Sequence, residues 1–273
     1  MIDIDSIRIK PGTEVSLDTF DPQSKAGISS KDAGVELAEG NLEKTEELQS
    51  KLWAEKKHAL VLVLQGMDTA GKDGTIRKVL SGLNPTGVVV WSFGKPNQEE
   101  LDHDYLQRIH DKLPQRGRIG VLNRSHYEDV LAVRVHDLVP EPTWSRRYRH
   151  INEFERMLTD EGTKIIKCFL HISPEEQLER LRERIEEPGK NWKLSDADFH
   201  ERKFWPAYTD AFEAVLTRCS TDHAPWHVVP ANRKWVRNAV ISQILLDALV
   251  ELDPQYPEGP NDLDELRQLA DLD

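Results

Sequence analysis

The stretch Ala59-Leu60-Val61-Leu62-Val63-Leu64, followed after Gln65 by Gly66-Met67-Asp68-Thr69-Ala70-Gly71-Lys72-Asp73, decides how the rest of this 273-residue chain is read. The apolar run is too short for an isolated helix and rich enough in Val and Leu to be a strand buried on both faces of a parallel sheet. The segment that follows fits the phosphate-binding pattern G-x-x-x-x-G-K up to its last position, where Asp73 stands in place of Ser or Thr. Gly66 and Gly71 permit backbone angles and close approach that a side chain would block, so successive N–H groups can point at phosphate oxygens, and Lys72 adds a point charge. The expected cradle is Gly66, Met67, Thr69, Ala70, Gly71, Lys72, Asp73 and Gly74.

Apolar residues at Ile76, Val79, Leu80 and Leu83 have helical spacing, so the loop feeds a helix N-terminus, whose dipole favours anions. A hydroxyl after the lysine would hold Mg²⁺ on the phosphates. Asp73 cannot serve in the same way, so another oxygen ligand is required, and Asp68 is the nearest hard carboxylate for Mg²⁺.

Outward from this loop, strands and helices alternate. Residues 1–35 are polar and read as an irregular arm, followed by a helix over about 35–57. After the helix that ends near Leu83 come a strand at 87–91, a helix near 99–112, a strand at 118–122, a helix opened by Pro142 and ended before Gly162, and a strand at 164–170. Ser173-Pro174-Glu175-Glu176 starts a helix to Glu186, with Ser as cap and Pro in the first turn. Ser195 starts another that extends past Phe212, and a fifth strand at 226–230 precedes a helix from Arg233 to Leu252. Strands spaced by helices imply a parallel sheet with right-handed connections. The division expected is 1–57 as arm and packing helix, 58–253 as the kinase-like domain with a lid at about 184–205, and 254–273 as an acidic tail.

No apolar run approaches the about 20 residues of a membrane span, and the N-terminus lacks the basic-then-apolar order of a signal peptide, so a cytoplasmic protein with no membrane partner is expected. Cys168 and Cys219 have no metal-ligand spacing and read as reduced thiols. The net charge of −12 is unevenly spread: residues 1–55 hold −6 and 251–273 hold −7, leaving the middle near neutral. Nine basic against five acidic side chains lie between Arg108 and Arg149, which allows a positive cleft in an acidic protein; nucleic acid is not expected as a partner.

Asn123-Arg124-Ser125-His126-Tyr127-Glu128-Asp129 leaves the third strand on the same sheet edge as the loop. Arg124 suits a bidentate grip on phosphoryl oxygens. Asn123 stands where phosphate-loop kinases commonly place an Asp for Mg²⁺, so Glu128 and Asp129 are alternative oxygen donors. His126 is set aside as a general base, because phosphoryl transfer through a loose transition state depends on positioning and charge. Arg180 and Arg184 fall on one helix face and precede Lys190 and Lys193, the pattern of a basic lid that excludes water.

Taken with Phe169-Leu170-His171-Ile172-Ser173, Pro188-Gly189-Lys190-Asn191-Trp192-Lys193, Ala224-Pro225-Trp226 and Val229-Pro230-Ala231, these motifs resemble the polyphosphate kinase 2 family from about Ile4 to Pro257. The resemblance implies an α/β fold, a three-layer α/β/α phosphate-loop kinase fold similar to thymidylate kinase, with a parallel five-stranded sheet and a helical lid. It implies Mg²⁺-dependent, reversible transfer of a phosphoryl group from inorganic polyphosphate to AMP and/or ADP, forming ADP or ATP, with guanine nucleotides as further acceptors. Asp68 is then the metal-associated catalytic carboxylate, Lys72 and Arg124 the phosphate ligands, and Arg134, Arg184, Lys190 and Lys193 the residues that hold polyphosphate. Asn123 paired with Glu128 resembles the group that accepts both AMP and ADP, and a homodimer or homotetramer is implied. The competing readings are an ATP-dependent small-metabolite kinase, which normally keeps Ser or Thr after the lysine, and a non-catalytic polyphosphate-binding protein.

Overall fold

Strand β1 (Ala59–Gln65) is buried at all seven residues because it lies in the middle of a sheet covered on both faces. The computed structural model describes residues 2–260 and 262–270, without the side chains of Lys193, Asp264 and Glu265. Helix α1 (Lys31–Glu55) precedes β1, and α2 (Lys72–Val79) leaves its phosphate-binding loop. There follow β2 (Val88–Ser92), β3 (Ile119–Asn123), α3 (Glu141–Asp160), β4 (Thr163–His171), α4 (Pro174–Glu186), α5 (Trp205–Cys219), β5 (Trp226–Pro230) and α6 (Lys234–Leu252). The five strands are parallel in the order β2-β3-β1-β4-β5, with Leu64 in register with Asn123 on one side and Cys168 on the other.

From β1 the chain crosses toward β2, and from β3 it crosses the opposite way to β4. Right-handed crossovers in opposite directions put α2 and α3 on opposite faces, and the crevice where the direction reverses opens at the C-terminal ends of β1 and β3. Helix α6 packs on α1, α2 and β4, while α3 packs on β4 and α5. The core between these layers is Leu, Val and Ile from β1, β3, β4 and α6, each such buried side chain worth about 1.5–3 kcal/mol over an exposed one.

Several expectations shift for local reasons. The helix expected near 99–112 is two single turns, Gln98–Leu101 and Gln107–His110. Between them Asp102 accepts from Gln98 Nε2 and Asp104 accepts from the Leu106 N–H, so acidic side chains compete with helical hydrogen bonds. The helix expected from Ser195 past Phe212 breaks into Asp196–Glu201, a 3₁₀ turn at Arg202–Phe204, and α5. Pro206 has no N–H to donate, so it fits only the first turn of a new helix. Helix α1 starts earlier than expected, at Lys31, where the Ser30 hydroxyl accepts from the Ala33 N–H.

The N-terminal arm is also less loose than its composition implied. Ile7, Ile9, Val15 and Leu17 are buried, and the arm pairs with β5 through Ile9 N–H to the Trp226 carbonyl and Val228 N–H to the Ile7 carbonyl, both 2.8 Å. That pairing covers one edge of the sheet. The other edge, β2, leaves Val90 and Trp91 exposed.

Candidate active site

The loop between β1 and α2 is shaped by backbone angles most side chains resist. Gly71 has φ +100°, and a Cβ there would run into the Arg237 guanidinium; a Cβ on Gly66 would lie 2.8 Å from the Leu170 carbonyl oxygen. The loop carbonyls are held from behind: Gln177 Nε2 donates to Asp68 O at 3.0 Å, Arg180 Nη1 to Thr69 O at 2.9 Å and Ala70 O at 3.0 Å, and Arg237 Nη1 to Ala70 O at 3.2 Å. In a trans peptide the C=O and the next N–H point opposite ways. Fastening the carbonyls of Asp68 and Ala70 backward therefore turns the amides of Thr69 and Gly71 toward the crevice.

Lys72 is buried at the start of α2 and folds back on the loop, donating from Nζ to Gly66 O at 2.8 Å and Met67 O at 3.3 Å. Burial pulls its ammonium below the ordinary lysine value and Arg124 adds to the pull, with Asp68, Glu128 and Asp73 acting against it. The positive charge is thus held in place by oxygens around it.

The end of β3 supplies the facing wall. Arg124 sits in the left-handed region at φ +62°, a conformation a branched or long side chain adopts only when its surroundings enforce it. Here its N–H donates to Leu64 O at 3.0 Å, clamping the turn to β1. Its Nη2 donates to Asp68 Oδ1 at 2.7 Å. Burial acts to lower the Arg124 guanidinium, but Glu128 and Asp68 more than offset it, and it ends above its usual value.

Asn123 Nδ2 donates to Asp73 Oδ1 at 2.8 Å and to Ser92 Oγ at 3.2 Å, so the residue after the lysine is tied to the neighbouring strand. Asp129, expected as a reserve metal ligand, is turned instead to Arg147, whose Nη1 donates to its Oδ1 at 2.8 Å and to its carbonyl at 3.1 Å. Burial pushes the Asp129 carboxyl up to about 6 against Arg147 and Arg108. His126 is likewise withdrawn: its ring lies buried, with Nε2 donating to Glu155 Oε1 at 3.1 Å.

The lid residues are close in sequence but not gathered on the loop. Asn191 Nδ2 donates to the carbonyls of Arg184 and Ile185, both 2.8 Å, and closes the end of α4. Lys190 pairs with Glu187 on the surface, and Trp192 is exposed; the Lys193 side chain lies outside the described residues. Arg134 stacks over Trp144 at 5.0 Å and donates to the Tyr148 hydroxyl at 3.4 Å.

Arg180 was grouped by spacing with the lid, yet it is buried and bonded to the loop, to Glu176 and to the carbonyls of Ala231 and Asn232. Gln177 and Arg237 were not singled out at all. For Arg237 a signal existed: it falls in line with Val240, Ile241 and Ile244 on the apolar face of α6, where the pattern calls for another aliphatic residue. Gln177 also joins the loop to the lid, because its Oε1 accepts from Arg202 Nη1 at 2.7 Å while its amide holds Asp68 O.

Among the described residues no three of His, Cys, Asp and Glu converge as a metal-binding group. The loop does offer hard carboxylates in Asp68 and Asp73, a donor set that suits a small divalent ion keeping waters and substrate phosphates as its other ligands. No described helix is long and apolar enough to cross a membrane.

A parallel sheet whose central strand ends in a lysine-bearing anion cradle, faced by an arginine from the neighbouring strand, places the chain among the phosphate-loop kinases. Comparison with known proteins narrows that class. The family model for polyphosphate kinase 2 matches residues 28–257. The chain is 49% identical over 252 residues to the AMP/ADP-polyphosphate phosphotransferase of Meiothermus ruber, spanning 92% of this chain and 94% of that one. It is 43% identical over 263 residues to the ADP-polyphosphate phosphotransferase of Rhodopseudomonas palustris, spanning 92% and 91%. The crystal structure of polyphosphate kinase 2 from Arthrobacter aurescens TC1 superposes with a TM-score of 0.95 at 41% identity, covering 98% of this chain and 96% of that one. The protein belongs to the polyphosphate kinase 2 family.

Proposed function

We propose that this enzyme transfers a phosphoryl group between inorganic polyphosphate and adenine nucleotides, with both AMP and ADP as acceptors. The observation that carries the reading is the convergence of Lys72, Arg124 and Asp68 at the loop mouth, with Arg124 bonded to Asp68 at 2.7 Å. A transferring phosphoryl group spreads charge over three equatorial oxygens, and two cations converging on one side of it match that charge. The names of the relatives above support the choice of polyphosphate as donor, and the Meiothermus protein's name supports acceptance of both nucleotides.

In this mechanism the amides of Thr69 and Gly71 bind phosphate oxygens, and Lys72 swings its ammonium from the Gly66 carbonyl to a bridging phosphate. Arg124 divides its donors between Asp68 and the group in flight. Asp68, with Asp73 nearby, would hold Mg²⁺. When bound, the metal supplies charge neutralisation and alignment of donor and acceptor phosphates. The basic residues of the lid, Arg184, Lys190 and Lys193, together with Arg134, hold the polymer and exclude water. Assembly as a homodimer or homotetramer belongs to the same proposal, supported by the open β2 edge with its exposed Val90 and Trp91.

The test is direct: incubate the protein with polyphosphate and either AMP or ADP, with and without Mg²⁺, and resolve nucleotides by chromatography. ADP and ATP should form from AMP, and ATP from ADP, only with metal. Turnover with ATP and a small metabolite but none with polyphosphate would overturn the reading, and so would binding without turnover.

A further inference from the structure

Arg237 is buried, 3% exposed, directly behind the phosphate-binding loop. Its partners are neutral: Ala70 O accepts from Nη1 at 3.2 Å, and Asn238 Oδ1 accepts from Nε at 3.3 Å and Nη2 at 3.0 Å. Among the described residues no carboxylate pairs with it. A second buried guanidinium, Arg180, donates to the same Ala70 carbonyl, and its own carboxylate partner is Glu176. Two guanidiniums and one carboxylate leave net positive charge in a low-dielectric place. Burial pulls Arg237 down to about 9, with Arg180 adding to the pull.

The loop is built around this group. A Cβ at Gly71 would collide with the guanidinium, and one at Gly74 would lie 3.5 Å from Nη2, so the backbone lies flush on it. A buried cation without a counter-charge destabilises the empty protein, and an apolar side chain of similar volume is usually tolerated better. Position 237 continues an apolar face, where such a residue would fit. The charge becomes favourable only when an anion fills the loop.

We propose that Arg237 is a positioning residue that strengthens binding of multiply charged phosphate chains, acting from behind the loop through its uncompensated charge and its hold on the Ala70 carbonyl. The inference rests on the loop being the phosphate site. It assigns the residue an effect that grows with the charge of the ligand, because attraction across low dielectric scales with the charge product.

The experiment measures two quantities on wild type, R237M and R237K: thermal stability of the ligand-free protein, and the Kd for inorganic tripolyphosphate and for orthophosphate by calorimetry. R237M is expected to be as stable as wild type or more so, yet to bind tripolyphosphate about tenfold more weakly, about 1.4 kcal/mol, with a smaller loss for orthophosphate. R237K, which keeps the charge, should stay within about threefold of wild type. A purely structural role predicts the reverse, loss of stability with unchanged Kd, and that result overturns the proposal. R237K binding as weakly as R237M also overturns it. Should R237M not fold, R237Q takes its place with the same expected loss of affinity. Wild-type protein that bound no tripolyphosphate would overturn the phosphate-loop reading itself, and this one with it.

Discussion

Arg124 donates from Nη2 to Asp68 Oδ1 at 2.7 Å, so the side chain assigned to phosphate and the one assigned to metal hold each other before either meets a ligand. Each fixes the other's rotamer across the crevice. The pair is about two-fifths exposed on the arginine side, so its worth to stability is small, about 0–1 kcal/mol. Its value lies in geometry.

Asp68→Asn should therefore abolish polyphosphate-dependent nucleotide formation while shifting unfolding by no more than about 1 kcal/mol. Chromatographic assay and urea denaturation on the same preparation check both halves. Full turnover would remove Asp68 from the mechanism.

The lid residues should separate from the loop residues kinetically. Lys190→Ala breaks a surface pair with Glu187, the side-chain partner of Lys190 among the described residues. It should raise the KM for polyphosphate several-fold and leave the KM for ADP near wild type, with the defect fading as salt screens the polymer. Initial rates at two ionic strengths decide this.

A buried ion cluster joins β4 to α3 and serves the fold. Lys167 Nζ donates to Glu155 Oε2 at 2.6 Å, to the Tyr127 hydroxyl at 2.8 Å and to the Cys219 carbonyl at 2.6 Å, all out of reach of water. Glu155→Gln leaves Lys167 without its counter-charge and should cost about 3–5 kcal/mol. The double change Glu155→Leu with Lys167→Met should recover more than half of that loss, as read from urea midpoints.

Stability should fall with acid because of His227. Its Nδ1 donates to the Lys167 carbonyl at 3.2 Å, and burial holds its pKa down at about 4. The unfolded chain takes up the proton at about 6.5, so between these values it binds more protons than the native state and stability rises with pH. Asp129, lifted to about 6, works in the opposite direction, since its native state binds the extra proton. Comparing wild type with His227→Gln isolates the histidine: the variant should lose less stability from pH 6.5 to 4, by about 3 kcal/mol at most.

How much of this was legible in the sequence depends on whether the signal was local. The cradle from Gly66 to Lys72 announces itself because its glycines, lysine and flanking periodicities are contiguous, and the five strands are short apolar runs between turns. Arg124 stands one residue past a strand end, where ligands gather. Arg180 and Arg237 were misplaced or missed because their partners are the carbonyls of Thr69 and Ala70, more than a hundred positions away, and spacing along a helix says nothing about that. Helices over 99–112 and 195–212 were read too long, since Asp102, Asp104 and Pro206 act through individual hydrogen bonds that apolar periodicity does not register.

The N-terminal arm carries a consequence for the order in which the molecule assembles. Ser220 Oγ donates to the Ile9 carbonyl at 2.6 Å across 211 positions of chain, and Val15 N–H reaches Thr217 Oγ1 across 202. The contacts of the arm with α5, Ser220 and β5 therefore cannot form until chain about two hundred positions further on has been made. Contacts of such separation form late, after the loop-closure entropy has been met by the sheet they join. Until then Ile7 and Ile9 lack the cover they have in the finished fold, and the sheet edge at β5 is sealed by a segment that precedes every strand of the sheet.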